Sequence, residues 1–96
     1  MQTIPFSDVV DYYHRQQPDG HWFDAGTKKF FGCRLPKVAY QTGDGLLFIT
    51  SENNFDGSRR FYTVRRQSVS GDIKTVGEFQ QYKTRADALK AIKEAA

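Results

Sequence analysis

His14, His21 and Cys33 are the soft metal-ligand side chains of this 96-residue sequence, and they are scattered along it. A structural zinc site takes four such ligands, usually arriving in close pairs. This spacing therefore predicts no metal centre, and no cofactor is expected. Cys33 with either histidine has the makings of a nucleophile and base, but almost any small chain offers such a pair, so the thiol is expected to be dispensable. Asp19, Asp44, Asp56 and Asp72 each stand beside a glycine, where turn geometry accounts for them. Gly43-Asp44-Gly45 is too short to cradle phosphate and leads into a strand instead of a helix. These observations point away from an enzyme.

The remaining chemical character is basic and aromatic. The net charge is +3. The first half of the chain is balanced, so the whole excess lies in the second half, concentrated in Arg59, Arg60, Arg65 and Arg66. The run Arg59-Arg60-Phe61-Tyr62-Thr63-Val64-Arg65-Arg66 reads as a strand. Side chains alternate across a strand, so Arg59, Phe61, Thr63 and Arg65 share one face and Arg60, Tyr62, Val64 and Arg66 the other. If Tyr62 and Val64 face the core, Phe61 lies on an open face between arginines, with Phe48 and Phe79 joining it where register allows. Such a platform stacks bases while arginines hold phosphates. The simpler alternative is that the arginines mark the strand ends and their stems cover apolar surface. Trp22 and Phe23, with Phe30 and Phe31, form a second aromatic group, in which one or two rings are expected to serve as anchors for a partner.

These residues have to be positioned by a small fold. Eight Phe, five Tyr and one Trp bury much area each and suffice for one core, so residues 1–96 are expected to form a single domain. Ser7 reads as an N-cap with Asp8 behind it, and Val9, Tyr12 and Tyr13 share a helical face. The first helix is expected at 7–17, stopped by Pro18-Asp19-Gly20. Asp24 or Thr27 would cap a short helical turn through Phe30 and Phe31, and a strand over 28–34 is the competing reading. Val38–Tyr40, Leu46–Ser51, Arg59–Gln67 and Ile73–Tyr82 read as strands, the last interrupted near Gly77. Gly43-Asp44-Gly45, Asp56-Gly57 and Ser70-Gly71-Asp72 read as the turns between them. Thr84 and Asp87 open a final helix with an apolar stripe of Ala88, Leu89, Ile92 and Ala96. The expected class is α+β, an antiparallel sheet of three or four strands with the N-terminal and C-terminal helices packed on one face.

The longest apolar run, Leu46–Ile49, is far too short to span a bilayer. The first residues lack the pattern of a secretory signal. A lone cysteine fits a reducing, cytoplasmic setting. The oligomeric state is not specified by the sequence.

Two resemblances add to this. The order of helix, strands and helix, with Lys83-Thr84-Arg85 opening the last helix, resembles double-stranded RNA-binding domains in topology, although their usual lysine pair is missing. His21-Trp22-Phe23-Asp24, Thr27, Phe30-Phe31, Arg34-Leu35, Tyr62–Arg66, and Val76–Tyr82 with Thr84-Arg85 resemble a group of small uncharacterised proteins of phages and prophages. That resemblance covers most of the chain and carries no catalytic or cofactor residues. It implies an accessory protein in the bacterial host cytoplasm, binding and modulating a host protein. The alternative is a nucleic-acid-binding domain using the basic-aromatic strand. The residues expected to carry binding are Arg59, Arg60, Phe61, Arg65, Arg66, Trp22 and Phe23.

Overall fold

A computed structural model describes residues 2–24, 32–43, 45–53 and 57–95. The elements are β1 (Thr3–Pro5), α1 (Phe6–Gln16), β2 (Val38–Thr42), β3 (Gly45–Asn53), β4 (Arg60–Gln67), β5 (Ile73–Val76) and α2 (Arg85–Ala95). The strands form one antiparallel sheet in the order β1-β2-β3-β4-β5. Each strand therefore lies beside its neighbour in the chain, the arrangement that short turns favour.

The sheet has five strands where three or four were expected. The additional one, β1, is three residues long and pairs Thr3 with Tyr40 and Pro5 with Val38. So short a segment carries no alternation of its own, and its pairing is supplied by β2. α1 begins one residue earlier than expected, with Pro5 at the cap position in an extended conformation. Ser7 therefore lies inside the helix. The orphan Phe6 N–H is satisfied instead by the Lys37 carbonyl at 2.9 Å. β5 ends at Val76, because Gly77 turns the chain at φ 76°. The backbone rejoins β4 only at Tyr82, which exchanges hydrogen bonds with Tyr62.

The helices pack on opposite faces, which corrects the expectation of a shared face. Phe6, Val9 and Tyr13 of α1 are buried with Phe23, Ala39, Phe48 and Ile73. Ala88 and Ile92 of α2 are buried with Tyr40, Leu47, Ile49 and Val64. Phe48 and Leu47 are adjacent in β3, so they necessarily point to opposite sides. The result is three layers, helix on sheet on helix. A strand buried on both faces reads as a continuous apolar run, and Leu46-Leu47-Phe48-Ile49 is that run.

The last helix agrees with its reading. The Thr84 hydroxyl caps it by accepting from the Asp87 N–H at 3.1 Å. Ala88 and Ile92 are fully buried, while Leu89 is only partly so. The expected short helix or strand around Phe30 and Phe31, the stripe position Ala96, and the turn residues Asp44 and Asp56 lie outside the described residues.

Candidate functional site

The eight paired positions of β3 and β4 run from Leu46 opposite Gln67 to Asn53 opposite Arg60. On the α1 side, β4 presents Phe61, Thr63, Arg65 and Gln67, and β3 presents Leu46, Phe48, Thr50 and Glu52. α1 covers the Phe48 end, where Phe6 meets Phe48 edge-on at 4.9 Å. Beyond it the same face turns polar.

Glu52 is the centre of that polar region and is only 2 % exposed. Its Oε1 accepts the Thr63 hydroxyl at 2.7 Å, and its Oε2 lies 3.6 Å from a guanidinium nitrogen of Arg65. Arg65 also donates from Nη1 to the Thr75 hydroxyl at 2.7 Å and from Nε to the Thr50 hydroxyl at 3.2 Å. The two strands flanking β4 thus fix one guanidinium. A buried charge is tolerated only when paired and hydrogen-bonded in this way.

The segment after β5 folds back over the network. Gln80 N–H donates to the Thr63 hydroxyl at 2.9 Å, and the Gln80 side chain donates to the Asn53 carbonyl at 2.8 Å. Gln80 sits at φ 59°, a left-handed conformation that an L residue adopts at a cost. Its hydrogen bonds offset that cost and set its neighbour Phe79 in place. The Arg65 guanidinium carbon is 5.5 Å from the ring centroid of Phe79 and 5.5 Å from that of Trp22. Phe79 is nonetheless 45 % exposed, and Trp22 is partly exposed.

Cys33 borders the network, its thiol donating to Glu52 Oε2 at 3.6 Å. Burial, and then the neighbouring Glu52 charge and hydrogen bond, raise its pKa to about 11. The thiol is therefore protonated at neutral pH, the reverse of what an activated nucleophile requires. His21 is exposed and pairs with Asp24 at 2.7 Å. Among the described residues no three His, Cys, Asp or Glu side chains gather where they would hold a metal ion.

The four arginines do not share one surface. Arg65 is inside the Glu52 network. Arg60, on the opposite face, donates to the Ser51 hydroxyl and the Gly32 carbonyl, each at 2.9 Å. Arg66 is half-buried on the α2 side, beside Leu47 in the register. Arg59 is exposed and lies over the Phe61 ring at 5.8 Å. Of the two aromatic residues singled out near the N-terminus, Phe23 is core, packed edge-on against Tyr13 at 5.2 Å. Trp22 leans on Phe23 at 4.9 Å and reaches Arg65. Phe48, expected on the platform, is buried under α1, whereas Phe79 does reach it.

Glu52, Thr50, Thr75 and Gln80 were missed in the sequence. Ending the second strand at Ser51 left Glu52 in a loop. Continuing the alternation Leu46, Phe48, Thr50 by one more step places it on the α1 face.

Fold and site together define a three-layer α/β/α protein whose sheet carries an internally anchored arginine flanked by aromatic rings. The chain belongs to DUF7447, a family of unknown function, whose model matches residues 9–93. No curated protein and no solved structure matches it. Among the described residues, no helix is long and apolar enough to cross a membrane.

Proposed function

We propose that this is a non-catalytic binding protein that acts by contact with another protein, through the surface formed by Trp22 and Phe79 over Arg65. The observation that carries this reading is that Phe79, 45 % exposed, stands on a guanidinium held by hydrogen bonds to Thr50 and Thr75 and an ion pair with Glu52. A rigid aromatic ring loses little freedom on binding, and aromatic and arginine residues dominate the energetics of interfaces. The setting we propose is that of the phage and prophage proteins it resembles, in a bacterial cytoplasm, with a host protein as partner.

A nucleic acid stacking on the same sheet face is the second reading. It rests on the interleaving of charge and rings there, with the exposed Arg59 over Phe61 and Arg65 over Phe79. The two readings separate in one experiment. Immobilised wild-type protein and a Phe79→Ala variant are used to capture partners from bacterial lysate, with and without nuclease, at low and moderate salt. The expected result is a protein retained by the wild type after nuclease treatment and at both salts, and lost by Phe79→Ala with an unchanged melting temperature. Capture that disappears with nuclease, or falls steeply with salt through counterion release, supports nucleic acid. Equal capture by both proteins removes this face from the function.

A further inference from the structure

The α2 face of the sheet, across from the aromatic surface, carries a row of cations. Tyr40 pairs with Leu47, Leu47 with Arg66, and Arg66 with Lys74. Residues paired directly across antiparallel strands point to one side, so these four side chains form a line over the sheet. Tyr40 and Leu47 are buried with Ala88 and Ile92 of α2, which places Arg66 and Lys74 on that face. The guanidinium of Arg85, the first residue of α2, donates to the Tyr40 hydroxyl at 3.3 Å. Arg66 is half-buried, whereas Lys74 and Arg85 are exposed.

These placements work against stability. Like charges directly opposite each other on neighbouring strands repel, and Arg66 with Lys74 is such a pair. A cation in the first turn of a helix meets the positive end of the helix dipole, and Arg85 stands there. Asp72 and Asp87, the carboxylates nearest to Lys74 and Arg85 along the chain, form no ion pair with either. The Tyr40 hydroxyl accepts from Arg85, and its own proton goes to no acceptor among the described residues. The row therefore offers positive charge and hydrogen-bond donors, the chemistry that recognises oxyanions.

We propose that this row binds the phosphate backbone of a nucleic acid, independently of sequence. Neighbouring strands lie about 4.8 Å apart, so the line from Tyr40 to Lys74 crosses three intervals, roughly 14 Å. That is too wide for one phosphate ion, whereas the closely spaced phosphates of a nucleic-acid strand can meet the whole line at once. Lys74, Arg66 and Arg85 each neutralise one phosphate, and the Tyr40 hydroxyl donates beside Arg85. Such contacts hold the backbone and read no base. The site lies across the sheet from Trp22 and Phe79 and stands whether or not those rings bind a protein.

The test titrates the full chain into a short, fluorescently labelled single-stranded oligonucleotide of mixed sequence and follows its anisotropy at several salt concentrations. With three phosphates neutralised, log K is expected to fall against log salt with a slope of about −2. Lys74→Thr combined with Arg85→Ala is expected to bind at least about tenfold more weakly and to lose about two thirds of that slope. The same variant is expected to melt no lower than the wild type, because both substitutions relieve repulsion. Phe79→Ala, on the other face, is expected to bind the oligonucleotide as the wild type does. Absence of saturable binding overturns the proposal. So does an unchanged affinity in the double variant, or loss of binding in Phe79→Ala. A double variant that melts far below the wild type also overturns it, since the cations would then be structural. Polyglutamate that displaces the probe as readily as unlabelled oligonucleotide overturns it in favour of an acidic polypeptide.

Discussion

Thr63 donates a hydrogen bond from its hydroxyl to the buried Glu52 carboxylate at 2.7 Å while accepting one from the Gln80 backbone N–H at 2.9 Å. This one side chain ties a charge in the sheet to the segment that carries Phe79. Thr63→Val keeps the shape and removes both bonds. It is expected to leave a buried carboxylate oxygen without its donor, at a cost of roughly 1–3 kcal/mol. Thr63→Ser should recover most of that loss in a thermal or denaturant melt. Equal melts for the Val and Ser variants would show that the hydroxyl does not hold the loop.

Arg65 behaves as a structural cation. Arg65→Glu would set a second carboxylate beside Glu52, and losing one partner of a buried ion pair typically costs about 3–5 kcal/mol. The variant is expected to unfold or melt far below the wild type, whereas Arg59→Glu, at an exposed position, should lose much less. Chemical denaturation of both variants measures the contrast. A stable Arg65→Glu protein would return Arg65 to the surface.

Cys33 should make the protein alkali-sensitive in a defined way. Its pKa is about 11 in the fold against an ordinary value of 9.0. Below pH 9 the thiol is protonated in both folded and unfolded chains, so its contribution is constant there. Between pH 9 and 11 the unfolded chain releases the proton more readily, and stability falls as pH rises. Cys33→Ser removes that component. The difference between wild-type and variant stability is expected to be flat from pH 7 to 9 and to move against the wild type above it. A wild-type thiol alkylated rapidly at pH 7.5 would contradict the raised pKa.

The second core depends on α2. Ile92 is 1 % exposed, and Ile92→Ala is expected to cost about 2–5 kcal/mol. Leu89→Ala, at a half-buried position, should cost less. Melts of the two variants give the order, and the reverse order would mean that the helix is rotated about its axis.

Gly71 turns the chain at φ 85°, and a Cβ there would lie 2.6 Å from Gln16 Cβ in α1. Gly71→Ala is therefore expected to lose more than the roughly 1–2 kcal/mol of a left-handed L residue, because the turn must also move off the helix. A loss below 1 kcal/mol by denaturant titration would show that this contact yields freely.

The sequence by itself determined the local elements. Val9 and Tyr13 at helical spacing, Thr84 as a cap, the turn at Gly71 and the alternation from Arg60 to Gln67 are each settled within a few residues, where backbone preference and side-chain period act. It also held the layer count, in the double-sided run from Leu46 to Ile49, although the expectation of a shared helix face passed over that signal. Only the tertiary structure decided what the arginines do. Arg65 and Arg66 are neighbours of the same type, yet one is enclosed by Glu52, Thr50 and Thr75 while the other lies across the sheet beside Leu47. The partners of Arg65 come from the two neighbouring strands and lie 10 to 15 positions away in the chain. No local pattern encodes that meeting, because it is set by register and by the return of the chain through Gln80. The same holds for Gln67, whose amide is spent on Val9, 58 positions away. Alternation fixes the face a side chain takes, but what covers that face is decided by elements distant in sequence.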